Sequence, residues 1–240
     1  RNASLAQSSL AKVPEFSSVL WDEVIEHRSP QPVCAVQGRI LYVLHNSRPY
    51  DNGGYATRAH GLALGLQEVG FDVHCLTRPG YPIDMHKSLQ PDLIPAQDVI
   101  DKITYHRDLQ PKRRGGHTTR EYGPPAADVI EAQIRKLRPQ IVIAASAYVS
   151  ALPALVAARR TGVPFVYEVR GFWEITRVSG NHTLSSDPLF RMERALETHV
   201  AQHADQILTL TGAMRDELGR RGISKDKVTL APNSCDPTRF

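Results

Sequence analysis

Two adjacent glycines, Gly53 and Gly54, stand at the mouth of a helix-like stretch, where they lower helix propensity. Bare backbone at such a point has a chemical use. It lets amide N–H groups approach an anion closely, and the helix that follows adds the positive end of its dipole. Arg58, one turn further in, adds a fixed charge and a planar fork that matches a phosphate. The stretch therefore reads as an anion cradle for a phosphate or pyrophosphate, or else as a tight strand-to-helix turn with no ligand. It is neither the G-x-G-x-x-G dinucleotide fingerprint nor the G-x-x-x-x-G-K-[ST] phosphate loop, so neither a nicotinamide cofactor nor ATP hydrolysis follows.

A second concentration of chemistry is Glu168-Val169-Arg170-Gly171-Phe172-Trp173-Glu174. Arginine cannot act as a base at neutral pH, but it can hold a phosphate or a hydroxyl. Phe172 and Trp173, like Tyr50 and Tyr81, can stack on a ligand ring or simply pack. His199 and His203 lie four apart, at metal-ligand spacing. The stretch HVAQH lacks a zinc protease's glutamate and no third ligand is identifiable, so no metal site is expected. Residues 112–117, KRRGGH, form a basic loop that suits either solvent or the phosphate of an anionic lipid or acceptor.

Cys34, Cys75 and Cys235 are far apart with no CxxC, which disfavours a disulfide framework or a zinc site and fits a reduced cytosolic setting. Asn2-Ala3-Ser4 and Asn181-His182-Thr183 spell glycosylation acceptors, read as chance because no secretion signal accompanies them.

These side chains need a scaffold, and the chain supplies a regular one. The 240 residues are 41% hydrophobic and 22% charged with a net charge of +4, which suits one large globular domain and does not by itself specify an anionic partner. No apolar run approaches the ~20 residues of a membrane span. The chain begins at Arg1 without the apolar core of a signal peptide, as expected of an excised piece.

Residues 1–37 read as a partly helical arm or linker, and from residue 38 one rhythm runs to the end. Short apolar, β-branched runs at 40–44, 72–76, 103–106, 140–144, 165–169, 206–211 and 228–231 alternate with helical stretches at 55–69, 126–137, 150–161, 188–203 and 213–221. Gly70, Gly162 and Gly222 fall just past helix ends, where left-handed caps are wanted. This predicts an α/β fold: one doubly wound, Rossmann-like domain over 38–240, with a mainly parallel sheet of about seven strands and helices on both faces. Loops 77–102 and 108–124 are long and expected to be functional or mobile. In such a sheet ligands bind beyond the carboxyl ends of the strands where strand order reverses, and the loop 46–54 follows the first strand.

With its first strand and "NGGYATRAHGLALGLQEVGFDVHCLT", the chain resembles the N-terminal domain of glycosyltransferases with two Rossmann domains, the GT-B architecture. Its closest resemblance is to the retaining, glycogen-synthase-like family that uses nucleotide-sugars. "IVIAASAYVSALPALVAARRTGVPFVYEVRGFWE" is similar to the family's mid-domain strand, helix and strand, and "ERALETHVAQHADQILTLTGAMRDELGRRGISKDKVTLAPNSCDPTRF" to its run into the interdomain hinge. The resemblance covers roughly residues 39–240.

It implies that Gly53 and Gly54 approach the donor diphosphate, aided by Arg58. Arg170 stands where the family often has a histidine, and the resemblance implies a subset that shares such an E-x-R-G-x-W-E stretch. Arg170 and Glu174 are then the catalytic candidates, orienting acceptor or donor sugar. Tyr50, Tyr81, Ser146, Trp173 and Asn233 are the candidate acceptor or substrate contacts. Ser234 departs from the hinge signature's usual glycine. The family's donor-binding domain, with its E-x(7)-E pair, follows this hinge; Glu15 and Glu23 match the spacing only in the arm and carry no weight.

The expected activity of the whole enzyme is transfer of a hexose from a nucleoside-diphosphate sugar to a saccharide or lipid-linked hydroxyl, in polysaccharide or glycolipid biosynthesis. No cofactor and no nucleic acid are implied. A cytoplasmic setting is expected, with peripheral contact at the inner membrane face, and little activity from this domain alone. A non-catalytic module binding a nucleotide-sugar or phospho-ligand is the alternative. A sugar-nucleotide epimerase or dehydrogenase is weaker, since the dinucleotide fingerprint and a Tyr-x-x-x-Lys pair are absent.

Overall fold

Alternation within the first strand already assigns the two faces of the sheet. In β1 (Arg39–Leu44), Leu41 and Val43 point into one buried cluster, while Ile40, Tyr42 and Leu44 point into another. The computed structural model describes residues 30–112, 119–179 and 188–234. Eight strands make one sheet: β1, then β2 (Asp72–Thr77), β3 (Gln97–Ile100), β4 (Ile103–His106), β5 (Ile141–Ala145), β6 (Phe165–Val169), β7 (Gln206–Thr209) and β8 (Val228–Leu230). The order is β3-β4-β2-β1-β5-β6-β7-β8, and every pairing is parallel except β3 with β4. The α/β, doubly wound reading holds.

Helices cover both faces, as parallel strands buried on both sides require. On one side α1 (Gly54–Glu68) lays Ala59 and Ala63 over Tyr42, Val73 and Cys75. On the other lie α2 (Thr119–Leu137), α3 (Tyr148–Thr161), α5 (Pro188–His203) and α6 (Gly212–Arg220). Nearly every residue of α3 is buried, since this helix is sandwiched by the sheet, α2 and α5. Gly70, Gly162 and Gly222 have positive φ, so the cap expectation at these three positions holds. The strap 30–37 lies along helix ends, with Gln31 and Val33 amides donating to the carbonyls of Arg160 and Thr161.

Three local expectations are corrected. Residues 77–102 are not one long loop: they contain β3, which forms a two-residue hairpin with β4 through Asp101 and Lys102, both at positive φ. Asp-Lys is an unusual pair for that turn, which normally signals itself by Asn-Gly or Asp-Gly. The start of the same segment is buried. Arg78, 1% exposed, pairs with Asp84 through two bonds of 2.6 and 3.0 Å, and the Arg78 amide donates to the Leu44 carbonyl at 2.7 Å.

Helix α2 begins at Thr119, upstream of Pro124 and Pro125, rather than after them. A short helix α4 (Trp173–Ser179), too brief for periodicity to reveal, follows β6. The arm 1–29, Cys235, most of the basic loop 112–117 and the sequon at Asn181 lie outside the described residues. No described helix is long and apolar enough to cross a membrane.

Candidate functional site

Strand order reverses between β1 and β5: the chain leaves β1 toward β2 on one side, and leaves β5 toward β6 on the other. A crevice opens beyond the carboxyl ends of such neighbours. Here those ends are Leu44 and Ala145, flanked by Val169. The loop 46–54 crosses this edge. Asn46 Nδ2 donates to Asp51 Oδ2 at 2.6 Å, and the Gly53 amide donates to Asp51 Oδ1 at 2.8 Å. Helix α1 then starts at Gly54, and its N-cap residue, Gly53, provides no side-chain cap. The first free turn of α1 therefore presents unshielded N–H groups and a positive dipole end.

The two glycines differ. A Cβ at Gly53 would lie 3.1 Å from Asp51 Oδ1, whereas one at Gly54 would meet nothing within 4 Å among the described residues. Any anion at this helix start approaches on the Gly54 side, since Asp51 already holds the Gly53 amide.

Beneath the loop sits a buried polar group centred on Glu168. Its Oε2 accepts from Arg170 Nε at 2.9 Å and from the hydroxyl of Tyr42; its Oε1 accepts from Arg58 Nε at 2.9 Å. Arg170 also donates through Nη2 to the Tyr42 hydroxyl and through Nη1 to the Tyr55 carbonyl at 2.8 Å. Its own amide donates to Ser146 Oγ at 3.1 Å. Burial alone pushes the Glu168 carboxyl upward. The charge of Arg170, hydrogen bonds from Arg170 and Tyr42, and the charge of Arg58 outweigh it and hold the group below its ordinary 4.5. Burial, reinforced by Glu168, keeps the Tyr42 phenol protonated. Two guanidinium charges against one carboxylate leave this cluster net positive, beneath a helix start that also favours anions.

An aromatic rim borders the same edge. Trp173 Nε1 donates to Tyr55 Oη at 3.0 Å, and the Trp173 ring meets His45 edge-on with centroids 5.2 Å apart. Tyr55 is 36% exposed. Tyr50 is half-buried, with Arg107 Cζ 5.0 Å from its ring centroid. Tyr81 is fully buried and donates to the Ser47 carbonyl at 2.8 Å, with burial pushing its phenol up to about 12. Its role is to brace the loop.

The sequence-predicted residues thus fall into groups. Gly54, Arg170, Ser146 and Trp173 converge on the crevice edge. Arg58 reaches under it and bonds Asn233 Oδ1 at 2.9 Å. Glu174 belongs elsewhere. It is buried on the α5 and α6 side, where its Oε1 accepts from Arg221 Nη2 at 2.7 Å, and no hydrogen bond or ion pair joins it to Arg170. Tyr42, His45, Asp51, Tyr55 and Glu168 were missed. Glu168 could have been found as the first carboxylate of the E-x-R-G-x-W-E stretch. Tyr42 reads as an ordinary strand residue, with no separate signal. The His199 and His203 rings lie with centroids 4.3 Å apart on α5, tilted at 37°, with His203 Nδ1 donating to the His199 carbonyl at 2.8 Å.

Among solved structures, the chain is similar to a sucrose-phosphate synthase from Thermosynechococcus elongatus, at TM-score 0.55 and 12% identity over 82% of this chain and 90% of that one. It is similar to Anabaena Alr3699/HepE in complex with UDP-glucose, at 0.52 and 10% over 82% of this chain and 44% of that one. A UDP-GlcNAc 2-epimerase from Neisseria meningitidis bound to UDP-GlcNAc gives 0.52 and 13% over 80% and 45%. At these identities the likeness shows the fold, and the chain spans less than half the length of the latter two proteins. No curated protein matches the chain. Residues 53–234, well over half of the chain, match the family described as glycosyl transferase 4-like domain, from the helix start at the crevice to the segment that Arg58 holds. The chain belongs to that family.

Proposed function

We propose that this chain is the acceptor-side domain of a retaining glycosyltransferase that moves a hexose from a nucleoside-diphosphate sugar to a hydroxyl. The observation that carries the reading is the juxtaposition at the β1–β5 reversal of an uncapped helix start at Gly54 with the net-positive Arg58–Glu168–Arg170 group. Transfer requires stabilising a departing diphosphate and an oxocarbenium-like sugar. Amides of the first turn of α1 serve the leaving group at short range. The guanidiniums act from beneath, through charge. Arg170 has three donor atoms engaged by Glu168, Tyr55 and Tyr42, so it acts by fixing Tyr55 and by its potential, not as a proton carrier.

The partly exposed rim of Tyr55, Trp173 and His45 offers edges and faces on which a pyranose can stack, which suits an acceptor saccharide. A lipid-linked saccharide at the inner face of the membrane, in polysaccharide or glycolipid assembly, is the acceptor class and setting we favour. In this reading a donor-binding domain after residue 234 completes the site. The test is a screen of the full-length protein against a panel of sugar nucleotides, with product anomers assigned by NMR, beside the present chain alone. Transfer with retention by the full-length protein only is expected. Comparable turnover by the chain alone would remove the division of labour, and inversion would remove the mechanism.

A further inference from the structure

We propose that Arg58 is a clamp that ties the segment 231–233, where the chain leaves β8, to the buried Tyr42–Glu168–Arg170 group. It is a positioning residue and not a ligand of the donor phosphate. Its Nε donates to Glu168 Oε1 at 2.9 Å, Nη2 to the Ala231 carbonyl at 2.9 Å, and Nη1 to the Pro232 carbonyl at 3.2 Å and to Asn233 Oδ1 at 2.9 Å. All three nitrogens of the guanidinium are engaged, and its side chain is only 15% exposed. The fork that would grip a phosphate in bidentate fashion is turned onto backbone carbonyls instead.

The position of these contacts gives them leverage. Strand β8 has three residues and lies at the sheet edge, and the Ala231 amide extends its pairing by donating to the Thr209 carbonyl at 2.7 Å. Short edge elements open first, so a cross-link from a central helix is what keeps this one in place. At the other end of the clamp, Glu168 shares its second oxygen with Arg170 and Tyr42, and Arg170 holds the Tyr55 carbonyl at the start of α1. A displacement of 231–233 is therefore transmitted through Arg58, Glu168 and Arg170 to the helix start. Resting on the proposed function, in which 231–233 leads into the donor-binding domain, this chain of bonds links movement of that domain to the geometry of the anion cradle.

Hydrogen exchange on the present chain tests the clamp without any assay of transfer. Arg58→Lys keeps the charge and loses the fork. The Ala231 amide should exchange about tenfold faster in Arg58→Lys and by a smaller factor in Asn233→Ala, with the Val43 amide of β1 unchanged. Asn233 is exposed, so its variant keeps the test readable if Arg58→Lys does not fold. In the full-length protein both substitutions should lower kcat, with the double variant losing no more than Arg58→Lys alone, as for groups acting as one unit.

An unchanged Ala231 rate in Arg58→Lys overturns the proposal. So does additive loss in the double variant, or a rise in donor KM alone, which is the signature of a phosphate ligand. If the full-length protein transfers no sugar at all, the proposed function fails while hydrogen exchange still decides the clamp.

Discussion

Successive residues of β6 feed two buried tyrosine–carboxylate groups on opposite faces of the sheet, and the two are built to opposite ends. On the α1 face, Glu168 accepts from Tyr42 and from two arginines, which hold its carboxyl below 4.5. On the far face, Tyr167 donates to Glu197, which also accepts from the Tyr148 amide at 2.7 Å. No arginine bonds Glu197 among the described residues. Burial pushes its carboxyl to about 7, and the neighbouring Glu174 adds to the rise against the hydrogen bonds that lower it. Arg221, whose charge acts on Glu197 against that rise, is committed to Glu174 and Glu217 and lies 4.1 Å above the Phe172 ring. Burial is similar on both faces, so partner charge decides. One group is an anchor beside the crevice that is ionised at neutral pH; the other is a protonatable strut where α5 packs against α3 and β6.

The contrast is broken most severely by Glu168→Gln. Removing the carboxylate leaves two buried guanidiniums facing one amide, and a loss of about 3–5 kcal/mol is expected in denaturant unfolding. Because the folded carboxyl lies below its ordinary 4.5, its contribution is present above that pH and lost as pH falls through the folded value. The variant should therefore lose most at neutral pH and approach wild type in acid.

Next comes Arg170→Lys. An ammonium cannot reach Glu168, Tyr42 and the Tyr55 carbonyl together, so transfer by the full-length protein should drop by about 100-fold in kcat. Activity within threefold or so of wild type would mean the charge alone suffices.

Glu197→Gln should do the reverse of Glu168→Gln. Glutamine mimics the protonated acid: its carbonyl can accept from the Tyr148 amide and its NH₂ can donate to Tyr167. A carboxyl raised from 4.5 to about 7 favours the fold at low pH, and that advantage disappears as pH climbs from 4.5 through about 7. At pH 8 the variant should be more stable than wild type by about 3 kcal/mol, and the difference should vanish near pH 4. A thermal-melt series across that range reads it directly; equal stability at pH 8 would mean Glu197 is not titrating there.

The smallest expected effect on folding separates scaffold from ligand contact. Gly54→Ala introduces a Cβ into open space at a helix start and should stabilise the chain by about 0.5–1 kcal/mol. In the proposed function the same methyl stands where the leaving diphosphate approaches, so the donor KM of the full-length protein should rise by about tenfold. A stabilised variant with an unaltered KM would place the diphosphate elsewhere.

Much of this was legible before any coordinates. The parallel strands read as continuous apolar runs, and the glycine caps at Gly70, Gly162 and Gly222 marked helix ends. The loop 46–54 could be assigned to the ligand edge by topology alone. What escaped had weak local signals. Strand β3 is short and half-exposed, its turn is Asp-Lys, and α4 has only two turns. Arg58 looked like a phosphate fork because nothing local reveals that residues more than 170 positions away would occupy it. Arg170 and Glu174, four apart in sequence, looked like one pair, yet lie in separate buried clusters.

Local chemistry by itself determined the element types, their order and the helix start with a bare backbone, because apolar period, glycine position and turn residues act over a few neighbours. Tertiary structure alone decided which carboxylate meets which arginine. Those charges come from strands and helices distant in the chain, and it is their arrangement in a low-dielectric interior that makes Glu168 an anion and Glu197 an acid.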